Sequence, residues 1–466
     1  MNPTKSPVNL LLLLVLLFWS GSGGAQVHLW LTDPDKSIFL KDQTASLLFG
    51  GATNENATID VDEDETFQTI DGFGCCLTGG SATHLIEMNP ANRAALLEEL
   101  FTTDGSNIGI SYLRVSIGAS DLNDHPYSYD DLPAGQTDTN MMKFSLAPDD
   151  ATVIPVLKEI LAVNPDIKIL GSPWSSPSWM KDTNDTRGGS LKREFYDAYA
   201  RYFIKYIEGM KAEGIGIDAI TIQNEPLNAK NNPSMHMSAR EEADFIKNSL
   251  GPAFHTAGID TKIIIYDHNC DHPEYPISML NDPEVKKYVD GSAFHLYAGK
   301  ISALSEVHNA HPDKALYFTE QWMNADSNFK RSFDQHIRNL VIGATRNWSR
   351  NVLEWNLDSD SNYQPHTDRG GCDRCQGAIT IDGNRVTRNA GYYVMAHGAK
   401  FVRPGSIRIG SNYLPTLPNV AFKAPDGQKI LLVLNNGQSP RTFNIRYRGK
   451  QAESTLSGGA VGTYIW

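Results

Sequence analysis

Two glutamates, each close to the end of an apolar run, could carry out acid–base or nucleophilic chemistry. Glu225 follows the run Ala-Ile-Thr-Ile-Gln-Asn, and Glu320 follows Ala-Leu-Tyr-Phe-Thr. Each run predicts a β-strand that brings its carboxylate to the rim of a parallel sheet or barrel, where active sites collect. Cleavage of a glycosidic bond needs two such groups, one to donate a proton and one to attack or to activate water. The alternative is that each glutamate only caps its strand or pairs with an arginine, and this is less favoured for the pair than for one residue alone.

The composition excludes several other classes of function. The chain has 466 residues, a length that suits a large barrel with an accessory domain. Its net charge of −13 argues against binding to nucleic acid, whose phosphates it would repel. The same charge provides no basic patch for anionic lipid.

The N-terminus has the pattern of an export signal over residues 1–25. Lys5 supplies the charged start, Leu10 to Trp19 form a short apolar core, and Gly21 to Ala25 are small residues suited to cleavage after Ala25. An apolar run of about ten residues is too short to span a bilayer comfortably, although an uncleaved anchor is the alternative. The pattern predicts a secreted or periplasmic protein without a transmembrane segment.

Cys372 and Cys375 form a Cys-x-x-Cys motif, which in an exported protein indicates a disulfide within a short loop. The alternative is a zinc site, which would need two more ligands, and only His366 is near in the sequence. The adjacent Cys75 and Cys76 are expected to be buried as small apolar residues.

The middle of the chain alternates strand-length apolar runs with longer amphipathic segments. The runs lie near residues 69–74, 111–116, 166–172, 217–223, 261–267, 291–297, 314–319 and 351–356. Eight strands with helical crossovers predict an α/β fold of the (β/α)8 barrel type, with a doubly wound sheet as the rival. Both ends of the chain have short alternating runs instead, which predict one β-sandwich built from residues 26–66 and 403–466 around a barrel of residues 67–402.

Polar and aromatic residues at the predicted strand ends extend the site. The second predicted strand carries Arg114, with Asp121 in the loop after it, and Trp174 follows the third. The sixth strand carries His295 and Tyr297 near its end, and the eighth carries Trp355. Trp174, Trp179, Trp322 and Trp355 all occur next to such polar groups. An indole ring packs well against the C–H face of a sugar, whereas core packing is the ordinary role of a single tryptophan. The alternative role for Arg114 is an ion pair beneath the site that holds a carboxylate ionised.

Several of these segments together resemble glycoside hydrolase family 30, which includes glucosylceramidases and microbial endo-β-1,6-glucanases. The similar segments are residues 66–74, 113–115, 172–179, 223–226, 295–297 and 319–322. The resemblance implies a retaining mechanism in which Glu225 is the general acid/base and Glu320 the nucleophile. It implies that Asp121, Trp174, Asn224 and Trp355 hold the sugar in the −1 subsite, and that His295 and Tyr297 support the nucleophile. The resemblance implies a β-glucan or a glucolipid as substrate, and we expect a monomer. The chemistry requires no metal and no organic cofactor.

Retention requires carboxyl groups about 5–5.5 Å apart, and we expect the negative charge of Glu320 to raise the pKa of Glu225. Within the family, residues 223–228, 320–322 and 370–375 look more like the β-1,6-glucanase branch, which implies that Cys372 and Cys375 close a loop at the cleft rim. Trp322 would then narrow the pocket for a kinked β-1,6 chain. The alternatives are a glucosylceramidase, an enzyme for another β-linked sugar, and a non-catalytic carbohydrate-binding protein.

Overall fold

The computed structural model describes residues 26–43, 47–51 and 54–466. The predicted signal over residues 1–25 lies outside this part of the chain. Among the described residues, no helix combines the length and the apolarity that a membrane span requires.

Eight parallel strands close into a barrel, which confirms the predicted fold and excludes the doubly wound sheet. Three strands precede the barrel: β1 (His28–Asp33), β2 (Ile38–Asp42) and β3 (Ala57–Thr69). The barrel strands are β4 (Gly72–Leu77), β5 (Tyr112–Ser116), β6 (Lys168–Ser172), β7 (Ala219–Thr221), β8 (Lys262–Cys270), β9 (Val289–Gly299), β10 (Ala315–Glu320) and, after the two-residue strand β11 (Met323–Asn324), β12 (Ser349–Asn356). Because all eight barrel strands run the same way, their C-terminal ends share one mouth of the barrel.

The helices surround the barrel as crossovers. They are α1 (Gly79–Glu87), α2 (Pro90–Phe101), α3 (Val153–Val163), α4 (Tyr196–Ala212), α5 (Ala239–Phe245), α6 (Gly251–Ala257), α7 (Glu274–Leu280), α8 (Pro283–Lys286), α9 (Ala303–Ala310), α10 (Phe329–His336) and α11 (Ala390–Ala399). In α4, Tyr199, Tyr202, Phe203 and Tyr206 are buried at steps of three and four residues, so one face of the helix packs on the barrel.

Side chains inside the barrel form two layers of different character. The lower layer is apolar and takes one residue from each of seven strands: Tyr112, Leu170, Ala219, Ile264, Ala293, Tyr317 and Leu353. The eighth strand, β4, contributes Gly74, where an added Cβ would lie 1.8 Å from the carbonyl oxygen of Tyr112. Successive inward positions on a strand are two residues apart, so the next layer toward the mouth begins with Arg114, Ser172, Thr221, His295 and Thr319. The polar side chains of the site therefore lie directly above a layer of apolar side chains that fills the barrel.

Four small strands follow β12 in the chain. They are β13 (Asp358–Ser359), β14 (Cys375–Gln376), β15 (Ile379–Asp382) and β16 (Arg385–Arg388). β14 pairs with β11, and β15 joins β13 to β16. The pairing of β14 with β11 attaches the segment after β12 to the segment after Glu320.

The remaining strands form a nine-stranded sheet with the three N-terminal strands. They are β17 (Ile407–Ser411), β18 (Asn419–Lys423), β19 (Lys429–Leu434), β20 (Arg441–Tyr447), β21 (Lys450–Leu456) and β22 (Val461–Ile465), and the order is β2-β1-β22-β19-β18-β17-β3-β20-β21. The prediction that both ends of the chain build one β-sandwich is confirmed. Within residues 47–51, Leu48 and Gly50 make isolated bridges to Gln26 and Gln451, and no continuous strand forms there.

Candidate active site

A cavity of about 450 Å³ opens at the C-terminal mouth of the barrel. It is lined by Asp121, Glu225, Asn228, Asn231, Asn269, Tyr297, Glu320, Trp322, Trp355, Cys372 and Cys375. A carboxylate oxygen of Glu225 and one of Glu320 lie within 4.8 Å of each other. The two glutamates therefore face one another across a space that a single glycosidic bond could occupy.

Glu320 is held by two donors from neighbouring strands. It is the last residue of β10, and its Oε2 accepts a hydrogen bond of 2.6 Å from Nη1 of Arg114. Its Oε1 accepts a bond of 2.8 Å from the hydroxyl of Tyr297, which β9 supplies. The carboxylate is thereby fixed in direction, with a buried guanidinium beneath it.

Glu225 lies beyond its strand, in a strained turn. β7 ends at Thr221, two residues earlier than the apolar run predicts, and Glu225 has a left-handed φ of 48°. Its backbone N–H donates to the carbonyl of Asp267 at 3.0 Å, and its Oε2 accepts from Nδ2 of Asn228 at 2.6 Å. A non-glycine residue in this region costs free energy that the surrounding contacts must supply, and such strain is typical of functional sites.

Asp267 is the central residue that the sequence interpretation missed. It is fully buried. Its Oδ2 accepts from Nη2 of Arg114 at 2.7 Å and from the hydroxyls of Ser172 and Thr221, and its Oδ1 accepts from the hydroxyl of Thr319 at 2.6 Å and contacts Nε2 of His295 at 3.1 Å. One carboxylate therefore joins the inward side chains of five strands beneath the two glutamates.

A bulge in β8 explains why Asp267 was missed. Strict alternation from Ile264 would point Tyr266 inward and Asp267 outward. Instead the pairing of β8 with β9 shifts between Tyr266 and His268, and both Tyr266 and Asp267 have positive φ. The sequence did contain a signal, because the fifth apolar run, residues 261–267, ends in the polar residue Asp267. No site residue was proposed at the end of that strand.

The buried ionisable groups of the site shift one another's pKa values. Burial alone would raise the pKa of Asp267, but the charge of Arg114 and the hydrogen bond and charge of His295 together hold it far below its usual range. Burial alone would lower the pKa of His295, but the nearby carboxylates, Glu320 first, raise it to about 9. Burial and the charge of Glu320 raise the pKa of Asp121 to about 8. At neutral pH the guanidinium of Arg114 and the imidazolium of His295 therefore lie among the carboxyl groups of Asp267, Glu225 and Glu320.

The expectation that Glu320 raises the pKa of Glu225 is wrong for the free protein. Burial favours a higher pKa for both carboxyl groups, but a hydrogen bond from His295 to Glu225 leaves the pKa of Glu225 lowered, while the pKa of Glu320 is raised. The reason is the position of His295, whose Nδ1 lies 3.4 Å from Glu225 and 3.8 Å from Glu320. The sequence did not reveal that this imidazole faces both carboxylates.

The predicted site residues divide into a lining and a support. Asp121, Tyr297, Trp322 and Trp355 line the cavity with the two glutamates, as do Cys372 and Cys375. Arg114, Trp174, Asn224 and His295 lie behind them and are buried. Trp174 packs against Trp355 with ring centroids 5.2 Å apart, and Asn224 accepts a hydrogen bond from Arg114.

Trp179 does not belong to the cavity, so its association with the site was wrong. Its ring packs edge-on against Phe195, and its Nε1 donates to the backbone oxygen of Asp130. Cys372 and Cys375 are joined as a disulfide, which confirms the predicted bond and leaves no thiolate for the zinc alternative. Cys75 and Cys76 are free and buried.

Replacing Asp267 with asparagine should lower the free energy of unfolding by about 3–5 kcal/mol, because it leaves the buried Arg114 without its second carboxylate. The matched control is Asp326→Asn, which breaks an exposed ion pair with Arg374 and should cost less than about 1 kcal/mol. Urea unfolding followed by fluorescence measures both values. Equal effects of the two changes would contradict a supporting role for Asp267.

Comparison with known proteins finds one family over nearly the whole described chain. Residues 70–402 match the model of the glycosyl hydrolase family 30 TIM-barrel domain, and residues 405–464 match that of the family's beta sandwich domain. An endo-1,6-beta-D-glucanase of Neurospora crassa is 36% identical over 450 residues, 91% of each chain. The lysosomal acid glucosylceramidase of Mus musculus is 28% identical and covers 89% of this chain and 85% of its own. A solved endo-beta1,6-glucanase is 32% identical, with a TM-score of 0.88 over 95% of this chain and 99% of that one.

Proposed function

Since this chain belongs to glycosyl hydrolase family 30 and is a glycoside hydrolase, we propose that it cleaves β-1,6-linked glucan by a retaining double displacement. The observation that carries the mechanism is the separation of the two carboxyl groups. Their nearest oxygens lie within 4.8 Å, whereas an inverting enzyme keeps its carboxyl groups about 6.5–9.5 Å apart to admit a water molecule. The space between Glu225 and Glu320 suits direct attack on the sugar.

In the first step, Glu320 attacks the anomeric carbon and Glu225 protonates the oxygen of the bond that breaks. This requires Glu225 to carry a proton when the substrate is bound. Arg114 and Tyr297 both donate to Glu320 and stabilise its carboxylate. A glycosidic oxygen bound beside Glu225 gives the proton an acceptor there, so the substrate itself draws the proton to the acid.

In the second step, Glu225 removes a proton from water, and the water displaces Glu320 from the anomeric carbon. Because each step inverts that carbon, the product keeps the β configuration of the substrate. Once Glu320 is bound as an ester its negative charge is lost, which lets Glu225 remain ionised and act as a base.

The leaving-group side of the cavity favours a second sugar over a lipid. Three amide side chains, Asn228, Asn231 and Asn269, line the cavity, and Asn228 also bonds to Glu225. Amides offer both donors and acceptors to sugar hydroxyls. These three amides are the observation that favours a second sugar as the leaving group.

Incubation with pustulan, a β-1,6-glucan, and with glucosylceramide tests the substrate. We expect gluco-oligosaccharides from pustulan at a kcat/KM at least about a hundredfold above that for the lipid, which corresponds to about 2.7 kcal/mol of difference in transition-state binding. NMR of the first product should show the β anomer. Turnover of the lipid with pustulan untouched would assign the glucosylceramidase activity instead, and a first product with the α anomer would exclude retention.

We also propose that the protein is exported and acts as a monomer. Export is supported by the charged, apolar and small-residue order of residues 1–25. Secretion and cleavage after Ala25 can be checked by N-terminal sequencing of the protein recovered outside the cell.

A further inference from the structure

The disulfide between Cys372 and Cys375 forms part of the wall of the catalytic cavity. Both cysteines line the cavity beside Trp322 and Trp355. Cys375 is buried, and Cys372 is half-buried. The sulfurs belong to the same apolar cluster as the Trp174–Trp355 pair beneath the sugar-binding space. The bond is therefore placed where a bound sugar would pass, rather than on the outer surface of the domain.

On one side, the disulfide loop is attached to Asp121. Gly371, the residue before Cys372, packs against Asp121, since a Cβ added at Gly371 would lie 2.9 Å from the carbonyl oxygen of Asp121. The backbone N–H of Thr367, at the start of the same segment, donates to the carbonyl oxygen of Asp121 at 2.9 Å. The segment that leads into the disulfide therefore contacts the backbone of Asp121, whose side chain lines the same cavity.

On the other side, the loop is attached to the segment that follows Glu320. Cys375 lies opposite Asn324 in the pairing of β14 with β11, and the N–H of Ala325 donates to the carbonyl of Arg374 at 3.1 Å. The side-chain amide of Asn356, at the end of β12, donates to the carbonyl of Cys375 at 3.2 Å. Trp322 lies immediately before β11, so this pairing also sets the place of its indole ring.

We propose that the Cys372–Cys375 disulfide is a positioning and specificity-determining wall of the sugar pocket, which keeps its loop against the backbone of Asp121 and the Trp322 ring over the cavity. The proposal rests on the proposed function of this cavity as the sugar site. Without the cross-link, residues 372–375 gain conformational freedom that binding must remove again, and that cost weakens affinity. The effect should fall on sugar binding, because neither Glu225 nor Glu320 touches the loop through a hydrogen bond in the structure.

The nearby thiol does not compete for this bond. Cys76 belongs to the same apolar cluster, but burial raises the pKa of its thiol well above the usual range. Exchange with a disulfide requires a thiolate. Cys76 therefore stays protonated, and the pairing of Cys372 with Cys375 is preserved.

The test compares the wild type with the Cys372→Ser/Cys375→Ser double variant. For both proteins, KM and kcat are measured on an aryl β-glucoside and on pustulan, and the affinity for a glucose-configured iminosugar is measured by calorimetry. We expect KM and the iminosugar Kd of the double variant to rise about tenfold or more, and kcat to stay within about threefold of the wild-type value. This pattern means that the ground state and the transition state lose the same binding free energy. The matched control is Arg374→Ala, which removes an exposed ion pair from the same loop and should leave both values unchanged.

A second measurement covers the case in which the double variant fails to fold. The wild type is reduced under native conditions with dithiothreitol, and alkylation with mass spectrometry identifies the molecules that have lost this one bond. Their iminosugar Kd should rise as in the variant and return on reoxidation. An unchanged Kd in reduced molecules, or an equal loss in Arg374→Ala, would overturn the proposal. Failure of the wild type on pustulan with normal iminosugar binding would overturn only the choice of glucan.

Discussion

Replacing Glu320 with glutamine should lower kcat by about 10⁴-fold or more, the scale expected when a covalent nucleophile is removed. Glutamine keeps the size of the side chain and can still accept from Arg114, but its amide does not displace a glycoside. Steady-state hydrolysis of pustulan measures the loss. A 2-deoxy-2-fluoro glucoside should label the wild type on Glu320, as found by peptide mass mapping, and should leave the variant unlabelled.

Glu354→Gln is a matched control for this change. Glu354 is also a buried glutamate near the end of a barrel strand, but it bonds to His336 and is absent from the cavity lining. We expect it to keep kcat within a few fold of the wild type and to be labelled normally. Labelling of Glu320→Gln, or sugar binding by the wild type without labelling or turnover, would contradict the role of Glu320 and favour a non-catalytic carbohydrate-binding protein.

Replacing Glu225 with alanine should lower kcat on pustulan by about 10²–10⁴-fold, the usual contribution of general acid–base catalysis. The loss should be much smaller in the first step with a dinitrophenyl glucoside, because its leaving group needs no proton. The glycosyl-enzyme should then accumulate, because no base activates water. A burst of dinitrophenol followed by a slow steady state measures this directly.

Azide provides a sharper test of Glu225, because it needs no base and can enter the space that alanine leaves. Added azide should speed turnover of Glu225→Ala and yield a glucosyl azide of β configuration. Glu225→Gln retains the volume of the side chain and should gain far less. The alkaline limb of the wild-type kcat/KM profile should disappear in both variants, since this limb reports loss of the acid proton. No burst and no azide product would assign the acid to another group.

The local pattern of the sequence is enough to predict the barrel and the two glutamates. Eight apolar runs separated by amphipathic segments are compatible with few other folds. Parallel strands need helical crossovers, and both faces of a parallel sheet must be buried. Parallel strands also end on one side, so carboxylates after runs four and seven must share a mouth. The Cys-x-x-Cys spacing in a chain predicted to be exported indicated the disulfide for a similar reason, since only local geometry is involved.

The support beneath the glutamates depends on contacts between strands far apart in the sequence, and only the tertiary structure reveals it. The bulge at Tyr266 turns Asp267 inward against the alternation of its own strand. Trp179 follows the same strand as Trp174, yet it turns into the core to reach Phe195. The pKa of Glu225 depends on His295, which strand closure places between both carboxylates. Spacing along a chain determines which residues reach the mouth, but the charge that each one carries there depends on neighbours that only barrel closure brings within hydrogen-bond distance.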